Sequence, residues 1–179
     1  MTIKVDIRDQ LGSALHAISA DAFDRLLLVD AARKVEDRLV EDLWIELRTS
    51  AFPSLWLQLR GGQFHADLAC PGLFANEFKL AYRGEHSYPG NGSWRASARE
   101  DVAKLRLVDV PHRLFTQIVS FGPSGKYQKH RSCACSDRAA CIAAWTHALG
   151  IEGLIAPRIF SRGIFTLLMF EVLVDHGNQ

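Results

Sequence analysis

The chain has 179 residues, with 21 Lys and Arg against 20 Asp and Glu, a formal net charge of +1 and 48% hydrophobic residues. That length fits one domain with a sizeable core and argues against intrinsic disorder. The balanced charge leaves no global field to draw it to nucleic acid or to an anionic membrane, so any such binding has to be local.

No stretch combines a basic start, an apolar core and a small-residue cleavage site, and no uninterrupted apolar run reaches the roughly 18 residues of a membrane span. The expectation is a cytoplasmic protein with no membrane contact. In a reducing compartment Cys70, Cys133, Cys135 and Cys141 are then free thiols or metal ligands rather than disulfides.

In chain order, Ile3 to Ile7 alternates apolar and polar residues and reads as a short strand. Ala20 to Arg48 is the clearest helical block, capped by Ser19 or Asp21, with apolar residues at Phe23, Leu26 and Leu27 and again at Leu39, Val40, Leu43, Trp44 and Leu47. No Gly or Pro breaks the block, so one helix or two are both open. Pro53 stops it.

From Leu55 the pattern turns to short β-like runs divided by turn residues. These are Leu55 to Leu59, then Gly61-Gly62, Gln63 to Ala69, Pro71-Gly72 and Phe78 to Tyr82. Pro89-Gly-Asn-Gly92 is the strongest turn signal, Ser97 to Arg106 predicts a short helix, and Arg113 to Phe121 another strand. Gly122 to Cys135 reads as a polar loop.

The last third opens at Ser136-Asp137, an N-cap signal for a helix placing Cys141, Trp145 and Leu149 on one apolar stripe. Gly150 ends that helix in a left-handed conformation. Leu154 to Ala156 reads as a short buried strand, Ser161 to Gly163 as a turn, and Ile164 to Val174 as a central strand. Helices over 1–52 followed by mixed strands and helices over 55–175 predict a single α+β domain rather than regular βαβ winding.

Four constellations could carry chemistry. Arg83 within Tyr82-Arg83-Gly84, before the glycine-rich turn and Ser93-Trp94-Arg95, suits bidentate pairing with a pyrophosphate; a surface Arg beside an ordinary hairpin is the alternative. Glu171 is the only charge in the last strand. It is either solvent-facing or held by a cation, because an unpaired buried carboxylate costs several kcal/mol.

His130, Cys133, Cys135 and Cys141 are zinc-type ligands at poor spacing, so no metal is expected: Cys141 reads as core and the other two as free thiols. Lys126, Lys129, His130 and Arg131 around Tyr127 form a basic loop that either touches single-stranded nucleic acid or is solvated.

Ala143-Ala-Trp145, Gly150-Ile-Glu-Gly153-Leu-Ile-Ala-Pro157 and the strand ending near Glu171 resemble the C-terminal part of RES-domain proteins, the NAD-degrading toxins of bacterial toxin–antitoxin pairs. Tyr82-Arg83 is similar to that family's first arginine element, and Gly92-Ser93-Trp94 to its Gly-Arg-aromatic turn, with Ser93 in the place of the second arginine and Arg95 close by. The resemblance spans Tyr82 to Glu171 and leaves out the N-terminal helices.

The resemblance implies an ADP-ribosyltransferase-like domain, N-terminal helices packed on a mixed, strongly twisted sheet. It implies an enzyme that consumes NAD as substrate, as glycohydrolase, phosphorylase or ADP-ribosyltransferase, with an antitoxin or other protein as partner. Arg83 and Arg95 would hold the pyrophosphate, with Gly84 in the adjoining turn. Tyr82 or Trp94 would stack on the nicotinamide, Glu100 or Glu171 would stabilise an oxocarbenium, and Ser161 would stand for the family's serine. The alternative is a non-catalytic interaction or nucleic-acid-binding protein using the 122–135 loop.

Overall fold

In a computed structural model of the chain, the structure describes residues 6–28, 32–61, 64–81, 92–121, 132–133, 139–140, 143, 147 and 150–174. Helix α1, Ile7–Ala17, starts where the Asp6 side chain accepts the Arg8 backbone N–H at 2.9 Å. Ile7 therefore opens a helix instead of closing a strand. Ile7, Leu11, Ala14, Leu15 and Ile18 recur at the spacing of one buried stripe.

The helical block that follows is two elements, α2 at Ala20–Leu28 and α3 at Ala32–Ser50. Ser19 is the cap of α2, its Oγ accepting from the Ala22 N–H at 3.2 Å. Val35, Leu39, Val40, Leu43 and Leu47 form the buried stripe of α3.

Seven strands make one mixed sheet: β1 Trp56–Gly61, β2 Phe64–Cys70, β3 Phe74–Ala81, β4 His112–Phe121, β5 Ser132–Cys133, β6 Arg158–Arg162 and β7 Phe165–Glu171. Their spatial order is β1-β2-β3-β4-β7-β6. β5 runs parallel to β4 at Ser120 and Phe121, beyond the Ala81↔Val119 pair that ends the β3 ladder, so it continues the line that β3 leaves. Gly72, at φ +70, makes the tight turn between β2 and β3.

Helix α4, Gly92–Arg106, connects the parallel strands β3 and β4 as a βαβ unit, while the β1–β2, β2–β3, β4–β7 and β6–β7 pairs are antiparallel. It starts five residues earlier than Ser97, where the sequence pattern placed it. The two sheet faces are covered by different helices. On one face α1, α2 and α3 pack over Leu68, Phe74, Phe78, Leu114, Ile118, Phe165, Leu167 and Met169. On the other, Ala98, Val102 and Leu105 of α4 cover Ala75, Phe115, Val119, Leu168 and Phe170.

The chain is thus an α+β domain with helices on both faces of the sheet. β7 lies between β4 and β6 and buries every residue from Phe165 to Phe170. The segment before β6 differs from expectation. Leu154 makes only an isolated bridge to Val172 and packs partly buried against the α4-side core, whereas Ile155, whose N–H donates to the Glu171 carbonyl, is 39% exposed. Ser161 and Arg162 belong to β6, and the turn starts at Gly163. Gly150 does take a left-handed φ of +48. Cys141, Trp145 and Leu149 lie outside the described residues.

Candidate functional site

Arg83, Tyr82 and Gly84 lie outside the described residues, directly after Ala81 at the end of β3. Trp94 and Arg95 belong to the first turns of α4, and their side chains lie outside what is described. Glu100 is exposed on α4, away from the Ala98, Val102 and Leu105 stripe that meets the sheet.

Ser161 sits on β6, its Oγ 2.9 Å from the Thr166 hydroxyl. Glu171 ends β7, its Oε1 3.1 Å from His112 Nδ1 and its Oε2 3.8 Å from the Arg8 guanidinium. Arg8 in turn pairs with Asp6 at 3.1 Å, and Arg158 reaches both Asp6 and Asp9. Burial acts to raise the Asp6 carboxyl, but hydrogen bonds and charge from Arg8, with Arg158, hold it below its ordinary value. This network ties α1 to the ends of β6 and β7.

Register separates these residues. Ala81 pairs with Val119, whereas Glu171 pairs with Leu114. Five residues of strand are roughly 17 Å, so Glu171 and the end of β3 are at opposite ends of the sheet. Glu171 also lies on the α1 side, with Phe165, Leu167 and Met169.

The end of β3 meets a different set of acids. Glu77 and Lys79 alternate with the core residues Phe78 and Leu80 and so point to the α4 side. There Lys79 Nζ lies 2.6 Å from Asp101 and 2.7 Å from Ser97 Oγ, and Lys104 Nζ lies 3.1 Å from Asp101. Gln117, which pairs with Lys79 across the β3–β4 ladder, donates from Nε2 to the Lys79 carbonyl at 2.6 Å. Two more carboxylates enter from β2 and α3. Asp67 accepts the Phe78 N–H at 2.8 Å, and Glu36 accepts the Leu80 N–H.

Burial first, and neighbouring acids second, set the protonation of the group. Burial, with Asp67 and Asp101 nearby, pushes Glu77 up to about 9. Burial raises Glu36 to about 7 against the opposing Leu80 N–H, and Asp67 to about 6 against that of Phe78. Burial acts to lower Lys79, yet the hydrogen bond and charge of Asp101, with Glu36 and Glu77, keep it above its ordinary value. Of the two neighbours Glu77 is raised further, so it holds its proton to higher pH than Asp67 does. Glu77 Oε2 and Gln117 Oε1 are buried polar atoms without a hydrogen-bond partner among the described residues.

Sequence reading passed over Asp67, Glu77 and Lys79, because polar residues alternating with apolar ones describe any strand with a wet face. Among the described residues no group of three His, Cys, Asp or Glu side chains is arranged to hold a metal ion. His130, Cys135 and Cys141 lie outside them, as does the Cys133 side chain. No described helix is long and apolar enough to cross a membrane. A groove of about 320 Å³, lined by Ala22, Arg25, Leu26, Arg38 and Asp42, lies between α2 and α3.

The fold and this cluster define an α+β domain with a group of buried and half-buried carboxyl groups around the second half of the parallel strand β3. No family model, no curated protein and no solved structure matches the chain.

Proposed function

We propose that the chain is an NAD-consuming enzyme that breaks the nicotinamide–ribose bond, with its centre at the carboxyl end of β3. The observation that carries this reading is the pair Asp67 and Glu77, neighbouring carboxyl groups in unlike settings: Asp67 accepts the Phe78 N–H, whereas Glu77 Oε2 is buried and finds no hydrogen-bond partner among the described residues. Support also comes from the chain order, since Tyr82-Arg83-Gly84, similar to the first arginine element of RES-domain proteins, follows β3 directly.

In this reaction the C1′–N bond breaks and its electron pair neutralises the pyridinium ring. Positive charge moves to the ribose, and water or another acceptor adds at C1′ with loss of a proton. An ionised carboxylate beside the ribose stabilises charge that appears only in the transition state. Asp67 takes that role, and protonated Glu77 donates a hydrogen bond to a sugar oxygen. Arg83 and Arg95 take the pyrophosphate, which a planar guanidinium fork binds bidentately.

Incubating the purified chain with NAD and following free nicotinamide by chromatography tests the proposal. Time-dependent release in proportion to protein supports it; no release and no NAD binding by calorimetry would overturn it.

A further inference from the structure

The β2–β3 ladder stops in mid-strand. Its pairs are Cys70↔Phe74, Ala69↔Ala75 and Leu68↔Asn76, and none follows among the described residues, although β3 continues to Ala81 and β1 and β2 stay paired as far as Gly61↔Phe64. The β1–β2 hairpin therefore leaves β3 as an intact unit. The Phe78 and Leu80 N–H groups, two residues apart and so on the same strand edge, find no β2 carbonyl. Asp67 and Glu36 carboxyl oxygens take them instead.

We propose that the β1–β2 hairpin is a proton-controlled flap, closed on β3 while at least one of the wedged Glu36 and Asp67 carries a proton and released when both ionise. A carboxylic acid can fill a narrow, half-buried gap and still accept an N–H through its carbonyl oxygen. Two carboxylates in the same gap repel each other and demand water.

The surroundings make the repulsion hard to relieve. Asp37 comes from α3, Glu77 and Lys79 from β3, and Asp101 from α4. Lys79 is the one cation near both wedge carboxylates among these groups, and it is already engaged by Asp101 and Ser97. Burial lifts both wedge acids toward neutrality, Glu36 to about 7 and Asp67 to about 6, which places release in the neutral range. Leu68 and Asn76, the last pair before the gap, form the hinge.

Amide hydrogen exchange followed by NMR from pH 5.5 to 8.5, corrected for intrinsic exchange, tests the flap in the full chain. The expected result is protection at Phe78 and Leu80 that falls about tenfold or more above pH 7, since one pKa unit is worth a factor of ten. Protection at Ile118 and Leu167, paired in the β4–β7 ladder, should stay level. In the Glu36→Gln, Asp67→Asn double variant, whose amide oxygens accept the same N–H groups without charge, the fall should vanish.

Level protection at Phe78 and Leu80 in the parent chain would overturn the proposal, as would an equal fall at Ile118 and Leu167. Persistence of the fall in the double variant would also overturn it. Should that variant not fold, the comparison of the two ladders in the parent decides alone.

Discussion

Lys79 Nζ lies 2.6 Å from an Asp101 side chain that is 7% exposed, so the middle of β3 is fastened to the helix that crosses over to β4. Removing one partner of a buried pair strands the other, at about 3–5 kcal/mol. Lys104 still reaches Asp101, which puts Lys79→Met at the low end of that range. Lys79→Met with Asp101→Leu should recover most of the loss, because no unpaired charge is left. Urea midpoints check both; a double variant weaker than the single would show that the pair itself stabilises the fold.

The carboxylate cluster makes stability fall as pH rises. The folded chain holds the Glu77 proton to about pH 9, whereas an ordinary glutamate loses it near 4.5. A carboxyl that binds its proton more tightly when folded contributes fully below the lower value and loses that contribution as pH rises through the upper one. Glu36 and Asp67 act in the same direction up to about 7 and 6. Asp6, held low by Arg8, acts oppositely only at more acidic pH. Thermal unfolding should show greater stability at pH 5.5 than at pH 8.5, with a slope of at most about 1.4 kcal/mol per pH unit for each group. Glu77→Gln should flatten it, and a stability maximum above pH 8 would contradict the assignment.

Gly12 faces the Phe160 ring, where α1 packs on β6, and a Cβ there would overlap ring atoms. Gly12→Ala gains up to about 1 kcal/mol of helix propensity. Overpacking costs about 1–3 kcal/mol. The net should be destabilising, read as a lower melting temperature, and Phe160→Leu in the same chain should reverse part of it. A melting temperature raised by Gly12→Ala alone would show that α1 and β6 separate readily.

How much of this was legible in the sequence depended on whether a signal was local. β1, β2, β4 and β7 follow from alternation and from bounding turn residues such as Gly72 and Gly163, whose left-handed φ values the turns require. Helix α1 was missed because Ile3 to Ile7 alternates like a strand. The stronger signal was the Asp6 cap followed by Ile7, Leu11, Ala14, Leu15 and Ile18. Leu154 to Ala156 looked buried by composition, but burial needs a covering layer, which no five-residue window contains.

The site depended on pairing. Glu77 and Lys79 carry no signal of their own in the sequence, and they join Asp101 and Ser97 only because the crossover brings α4 over them. Asp67 and Glu36 gain meaning only where β2 and β3 part. Glu171 was legible as a carboxylate either facing solvent or held by a cation; that Arg8 from α1 and His112 lie against it is a fact of tertiary structure.

The central claim is that NAD cleavage runs at the carboxyl end of β3, and nicotinamide release by three chains side by side tests it most directly. The parent should release nicotinamide, and Asp67→Asn should be slower by about 10²–10³ in kcat, the loss seen when one electrostatic stabiliser of a transition state is removed. Glu171→Gln, changed at the far end of the sheet, should match the parent. Equal rates for the parent and Asp67→Asn, with the loss falling on Glu171→Gln, would contradict the account.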